Sequence, residues 1–197
     1  MRLHPHIFVF YLILSALLGK GCEAISGSGD SGWESLALYG LDGQKSLLFS
    51  QATDSFTVLL FLSPECPLCE NYSKTISELR SGFSEAPIRW LGIFPGSAYS
   101  KEQIYHYLSR YHPQVEVVLD PNQELTQKVK ATVTPEVVLL SEKREIQYRG
   151  KIDNWIESLG VKRQKVTEHY LLDALEAVLK NEKPLIVSTE AVGCFIE

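Results

Sequence analysis

The chain has 197 residues, of which 45% are hydrophobic and 22% charged, and this composition suits one globular domain with a hydrophobic core. Its formal net charge is −5, and the first 21 residues hold two basic residues and no acidic one, so the remainder carries 17 basic and 24 acidic residues, or −7. No basic patch is left for phosphate contacts, which excludes a nucleic-acid-binding protein.

The first 22 residues are predicted to be an export signal. Arg2 gives a positive start, and residues 7–18 form an apolar run that is too short for a comfortable membrane span. Residues 18–22, Leu-Gly-Lys-Gly-Cys, are similar to a lipoprotein signal in which Cys22 is lipidated and tethers the protein to a membrane, although Lys20 departs from that motif. Cleavage after Ala24 and an uncleaved anchor are the alternatives. All three place the domain outside the cytoplasm, in the periplasm in our interpretation, where disulfides persist.

Three further segments follow along the chain. Residues 23–32 are small and polar, which predicts a flexible linker. Residues 33–183 are predicted to form the folded domain, and residues 184–197 a C-terminal tail.

The folded domain is predicted to begin with a β-hairpin and to continue with alternating strands and helices. Residues 36–39 and 45–49 flank a Gly-Leu-Asp-Gly turn, which is typical of hairpins. Further strands are predicted over 57–62, 88–94, 115–119, 137–140 and 145–149. Helices are predicted over 66–80 and 167–181, and a third starts at the capping box Ser100-x-x-Gln103 and runs through Tyr111. A fourth is predicted from Asp120 as N-cap, with Pro121 at the first helical position, to residue 130. The alternation predicts parallel strands in the middle of a sheet, to which the closing hairpin adds antiparallel ones.

The sequence Cys66-Pro67-Leu68-Cys69 is the strongest functional signal. It follows an apolar strand and opens a predicted helix, where a C-x-x-C pair is a redox arrangement more often than a structural one. Free N–H groups and the macrodipole at a helix N-terminus stabilise a thiolate.

Together with Val133-Thr134-Pro135-Glu136-Val137, this motif resembles the redox site of the extracytoplasmic redoxin family. The resemblance covers residues 33 to about 180. It implies an α/β fold: a thioredoxin-like three-layer sandwich with a central mixed sheet, an extra N-terminal β-hairpin and an added helix.

The same resemblance assigns roles to the site residues. Cys66 is then an exposed nucleophile, and Cys69 is the buried thiol that resolves the mixed disulfide. Pro135 then follows a cis peptide bond beside the thiols and leaves the Thr134 backbone free to pair with a peptide. The resemblance implies a thiol–disulfide oxidoreductase without an organic cofactor, which reduces partner-protein disulfides and takes electrons from a membrane or periplasmic thiol carrier.

Two positions depart from thioredoxins. Leu60 stands where they carry a buried acidic residue, and Glu65 replaces the usual aromatic residue before the first cysteine. Glu65 is therefore a candidate for tuning Cys66 or substrate preference.

Two other functions are the alternatives. The first is a thiol peroxidase, because Ser63-x-x-Cys66 matches part of a peroxiredoxin motif. The proline expected four residues before Ser63 is Leu59, which argues against a peroxide pocket. The second alternative is a carrier that binds copper(I) through Cys66 and Cys69, since soft thiolate ligands favour this ion. Its third ligand has no convincing match, and no further C-x-x-C or histidine pair supports zinc. We expect the three later histidines to be surface residues: His106, His112 and His169.

Cys194, in the tail, has three interpretations that the sequence leaves open. It is a third thiol that exchanges with Cys66, a metal ligand beside it, or a free thiol packed against the domain.

Overall fold

A five-stranded mixed sheet forms the centre of the domain. The computed structural model describes residues 32–46, 48–49 and 54–197, so the predicted export signal, Cys22 and most of the predicted linker lie outside the described residues. The strand order is β3-β2-β1-β5-β6; β1, β2 and β3 are parallel, whereas β5 and β6 are antiparallel to their neighbours. Within these described ranges, no helix has the length and apolar character that crossing a membrane requires.

The nine strands and four helices of the described ranges alternate in the middle of the chain. The strands are β1 Phe56–Phe61, β2 Ile88–Pro95, β3 Glu116–Asp120, β4 Val133–Thr134, β5 Glu136–Leu140, β6 Ile146–Gly150, β7 Ile156–Ser158, β8 Val161–Lys162 and β9 Cys194–Phe195. The helices are α1 Pro67–Gly82, α2 Lys101–Tyr111, α3 Glu124–Val129 and α4 Tyr170–Leu179.

The sheet separates two hydrophobic clusters, because successive strand residues point to opposite faces. Leu60 faces the cluster that contains buried residues of α1, α2 and α4. Its neighbours Leu59 and Phe61 face the other cluster, which contains Trp33 and buried residues of α3. The sheet with its two covered faces confirms the predicted thioredoxin-like three-layer architecture.

The N-terminal hairpin has less pairing than the sequence predicts. The turn forms, with a bond from the Gly43 N–H to the Gly40 carbonyl, but the hairpin pairing within residues 36–46 is one bridge between Tyr39 and Lys45. Tyr39 also pairs with Leu119 of β3. The segment therefore lies along the edge of the main sheet.

Two helices begin later than predicted. The residue before α3, Gln123, has left-handed backbone (φ 56°), and a side chain from outside α4 holds the residues that precede that helix. The prediction that Asp120 is the N-cap is wrong: it ends β3, and its buried carboxylate accepts bonds from the Thr126 N–H at 2.9 Å and hydroxyl at 2.7 Å. The side-chain carbonyl of Asn154 accepts from the N–H groups of Thr167 and Glu168, so α4 starts only at Tyr170.

Candidate redox site

The first turn of α1 places both cysteines of the C-x-x-C motif at the end of β1. Cys66 is the N-cap residue with extended backbone, and Pro67 occupies the first helical position, where a missing N–H costs nothing. Cys69 follows one turn later and is fully buried. The helix therefore begins at Pro67, and Cys66 lies at its positive end.

The Cys69 side is enclosed by hydrogen bonds. The Ser63 N–H donates to Cys69 Sγ at 3.4 Å, and the Ser73 hydroxyl donates to the Cys69 carbonyl at 2.8 Å. Tyr107 of α2 brings its hydroxyl within 3.2 Å of the same carbonyl and 3.0 Å of Ser73 Oγ. Burial raises the pKa of Tyr107, so its hydroxyl stays protonated and remains a donor.

The Thr134–Pro135 segment lies against the first thiol. The peptide bond between these residues is cis, as the resemblance implies. Cys66 Sγ lies 3.0 Å from the Thr134 carbonyl oxygen and in its thiol form donates a hydrogen bond to it. Thr134 and Pro135 are both buried. The fold brings Thr134 into contact with Cys66, which lies 68 positions earlier in the sequence.

The C-terminal tail covers the remaining side of Cys66. β9 pairs antiparallel with β4, in a register that joins Thr134 to Cys194 and Val133 to Phe195. Cys194 Sγ lies 2.7 Å from Cys66 Sγ. Cys66 is only 1% exposed as a result, so the expectation of an exposed nucleophile is wrong. The predicted boundary at residue 183 does not separate the tail either, because it belongs to the compact unit formed by Gly32–Glu197.

The three thiols differ in proton affinity. The Cys69 thiol, donating to Cys66, is the largest cause that lowers the pKa of Cys66, against the effect of burial and with further help from Cys194, to about 5. Burial, followed by the hydrogen bond with Cys66 and then by the Cys66 charge, raises the pKa of Cys69 well above its usual value. The same causes, in the same order, raise the pKa of Cys194 to about 12. At neutral pH the site thus holds one thiolate, Cys66, between two protonated donors.

Glu65 and Leu60 take no direct part in this arrangement. The Glu65 carboxylate accepts a bond from the Gln103 side chain at 2.9 Å and is absent from the causes that shift the pKa of Cys66. Leu60 is fully buried in β1. A role of Glu65 in tuning substrate preference stays a prediction.

In residues 32–46, 48–49 and 54–197 no group of three or more His, Cys, Asp or Glu side chains is arranged to hold a metal ion. The three later histidines are exposed, at positions His106, His112 and His169.

Sequence reasoning missed two contributions to the site. It gave no role at the site to Tyr107, whose hydroxyl lies at the Cys69 carbonyl. It also missed β4 and β9, and with them the pairing that brings Cys194 to Cys66. The Gly193-Cys194 pair near the end of the chain was the only available signal for the second.

Comparisons with known proteins support the fold. Neither the comparison with protein-family models nor that with curated proteins finds a match. Among solved structures, an uncharacterized conserved protein from Geobacillus kaustophilus has a TM-score of 0.70 and 21% identity, covering 82% of this chain and 87% of that one. A secreted Mycobacterium tuberculosis disulfide oxidoreductase, described as homologous to E. coli DsbE, has a TM-score of 0.52 and 15% identity over 77% of this chain and 98% of that one.

A thioredoxin-like protein from Aeropyrum pernix has a TM-score of 0.53 and 18% identity over 75% of this chain and 89% of that one. At these identities the likeness concerns the fold. The chain has a thioredoxin-like fold.

Proposed function

We propose that this thioredoxin-fold chain is an extracytoplasmic thiol–disulfide oxidoreductase that reduces disulfides of partner proteins through Cys66 and Cys69. The observation that carries the proposal is the thiolate of Cys66, which has a pKa of about 5 and lies at the start of α1 beside a protonated Cys69. A low-pKa thiol with a second thiol one helical turn away is the arrangement that disulfide exchange requires.

The reaction needs two exchange steps. The Cys66 thiolate attacks one sulfur of the partner disulfide, forming a mixed disulfide and releasing one partner thiolate. Cys69 then loses its proton and attacks Cys66 Sγ, which forms the Cys66–Cys69 disulfide and releases the second partner thiolate. Two electrons pass from the chain to the partner, and a dithiol donor restores the reduced state.

The low pKa of Cys66 also limits which partners can be reduced. Stabilising the thiolate favours the reduced dithiol over the disulfide and raises the reduction potential of the pair. The chain therefore reduces partner disulfides whose potential is higher still. We assign the electron donor to a membrane or periplasmic thiol carrier, and the chemistry requires no organic cofactor.

The proposed location rests on the N-terminal sequence. The apolar run of residues 7–18 supports export, and Cys22 supports a lipid tether to the membrane. One solved structure with a similar fold is described as a secreted disulfide oxidoreductase, which agrees with such a location.

Reduction of a protein disulfide tests the function directly. The purified chain, with dithiothreitol as donor, is expected to accelerate the reduction of insulin, followed by the turbidity of the released B chain. Cys66→Ser removes the attacking thiolate and is expected to bring the rate to background, whereas the same substitution at Cys22 leaves it unchanged. Equal rates for wild type and Cys66→Ser would contradict the proposal.

Two other readouts separate the alternatives. Peroxide consumption that depends on Cys66, without insulin reduction, would make the chain a thiol peroxidase. Tight copper(I) binding by Cys66 and Cys69 without disulfide exchange would make it a carrier. The reduction potential of the Cys66–Cys69 pair, measured in glutathione buffers, then decides which partners it can reduce.

A further inference from the structure

We propose that Cys194 is a third redox thiol of this site, which forms a disulfide with Cys66 while residues 191–197 occupy the place of a partner strand. The proposal rests on the proposed disulfide exchange at Cys66. It adds an internal partner, carried by the chain itself, that competes with external ones.

The tail docks through its backbone, as an added strand. β9 pairs with β4 immediately before Pro135, and the Ile196 N–H donates to the Thr132 carbonyl at 3.0 Å. Main-chain bonding of an extended segment to an exposed strand edge is a common mode of peptide recognition. The tail therefore uses the backbone groups of Thr134 that a partner peptide needs.

The residue before the cysteine lets the tail approach closely. A Cβ atom added to Gly193 would overlap the Thr134 carbonyl oxygen and would lie 2.7 Å from its carbon. Only a residue without a side chain fits there. This contact fixes the register that puts Cys194 opposite Thr134.

The sulfur atoms are placed for exchange. The separation of 2.7 Å between Cys66 Sγ and Cys194 Sγ lies between ordinary contact and the disulfide bond length of about 2.05 Å. Cys194 thus stands where the sulfur of a partner must stand when Cys66 attacks it. The pair is also partly buried, which limits the access of competing thiols from solution.

The tail has two main anchors on the domain, and the carbonyl of its last residue also accepts a bond from the Gln123 side chain. Its first anchor is Thr189, whose hydroxyl accepts from the Lys151 N–H at 2.9 Å and lies 2.8 Å from the Tyr148 hydroxyl. Its second is the strand pairing of β9. Phe195 is 80% exposed and buries little apolar surface. Val192 and Ile196 are half-buried and pack against the two hydrophobic clusters, so these side chains, the backbone bonds and the Cys194 contact together hold the second anchor. Release of β9 removes the Cys194 contact from Cys66.

The exchange balances without an external oxidant. In the oxidised chain, Cys194 loses its proton and its thiolate attacks Cys66 Sγ, so that the Cys66–Cys194 bond forms and the Cys66–Cys69 bond breaks. Cys69 leaves as a thiolate and takes up the proton, as its raised pKa favours. The chain still holds one disulfide, now in the tail, and Cys69 is reduced.

A trapped form of the chain tests this without any partner protein. In full-length Cys69→Ser, oxidised glutathione reacts with the Cys66 thiolate, and Cys194 then displaces glutathione to give the Cys66–Cys194 disulfide. After acid quenching and alkylation, trypsin is expected to release residues 46–74 joined to residues 181–197, which mass spectrometry identifies. The mass of the undigested chain shows that the link is intramolecular.

Two glycine substitutions form a matched pair. Gly193→Ala keeps both thiols but forces β9 away from Thr134, and we expect it to lower the ratio of the internal disulfide to the glutathione adduct about tenfold or more. Gly82→Ala, at a position with open space around it, is expected to leave that ratio unchanged. The same Gly193→Ala change in the reduced wild type is expected to speed alkylation of Cys66.

The outcomes separate the two proposals. If Cys69→Ser accumulates only the glutathione adduct, the third-thiol role is overturned, even where wild type reduces insulin. If the internal disulfide forms but insulin is not reduced, the role of Cys194 stands and the proposed function fails. The result for Cys69→Ser decides this by itself, whatever the folding of Gly193→Ala.

Discussion

The two sides of Cys66 are built in opposite ways. Behind it, Cys69 is fully buried, and the hydroxyls of Ser73 and Tyr107 lie at its carbonyl. In front of it, the cover is a two-residue strand whose Phe195 side chain lies mostly in solvent. Under the proposed function, Cys69 returns to Cys66 in every cycle and needs a fixed geometry, whereas the front has to open for a partner. The comparison shows that one thiol is packed in the core on one side and covered by a short strand on the other.

The largest expected effect tests the rigidity of the rear. Ile76 of α1 is fully buried in the cluster that contains Cys69, so Ile76→Ala is expected to lower the free energy of unfolding by about 2–5 kcal/mol. Phe195→Ala, on the tail, is expected to change it by less than about 0.5 kcal/mol. Urea unfolding of both variants measures the difference. Similar losses would show that the tail is as much a part of the core as α1 is.

The next effect is the pH dependence that Cys66 gives to the reduced chain. Its folded pKa of about 5 is below the unfolded value of about 9, so the unfolded chain binds more protons between these limits. The stabilisation is complete above the unfolded pKa and is lost as the pH falls through the folded one. Between pH 5.5 and 8.5 the unfolding free energy of the reduced wild type is expected to rise with pH by up to about 1.4 kcal/mol per unit more than that of Cys66→Ser.

Urea unfolding over this range, with a phosphine reductant, checks that slope. The oxidised wild type, in which Cys66 cannot titrate, is the control and is expected to follow Cys66→Ser. Parallel curves for all three forms would mean that the folded chain does not stabilise the thiolate.

The smallest effect concerns the front of the site. Cys194 is a lesser donor to the Cys66 thiolate than Cys69, so Cys194→Ala is expected to raise the pKa of Cys66 by less than the loss of the Cys69 donor does. Thiolate absorbance near 240 nm, followed from pH 3 to 9 in the reduced chain, measures both variants. A larger rise in the Cys66 pKa for Cys194→Ala than for Cys69→Ala would show that Cys194, and not Cys69, is the stronger donor to the thiolate.

The sequence predicts the rear of the site much better than the front. β1 and α1 follow from an uninterrupted apolar run and from helical spacing of apolar residues, both of which are local patterns. Cys66 and Cys69 are adjacent in the same helix turn, so their proximity needs no tertiary information. The Thr134–Pro135 segment could be placed beside them only through the family resemblance.

The front depends on contacts that local patterns do not contain. Cys66 and Cys194 are 128 positions apart, and strands of two residues such as β4 and β9 have no periodicity. The late start of α4 has the same origin, since the amide that holds the residues before it lies outside the helix, on Asn154. Local sequence patterns therefore did not predict the strand that covers Cys66 or the helix start that a distant side chain determines.

The close packing of Gly193 has a consequence for substrate selection. A partner strand that enters in the tail's register meets the same Thr134 carbonyl, with no space for a side chain on the residue before its cysteine. The edge of β4 next to Cys66 thus constrains two positions of a bound strand: a sulfur opposite Cys66, and a residue without a side chain just before it. Under the proposed function we expect disulfides preceded by a glycine to be accepted in this register, and those preceded by branched or aromatic residues to be rejected.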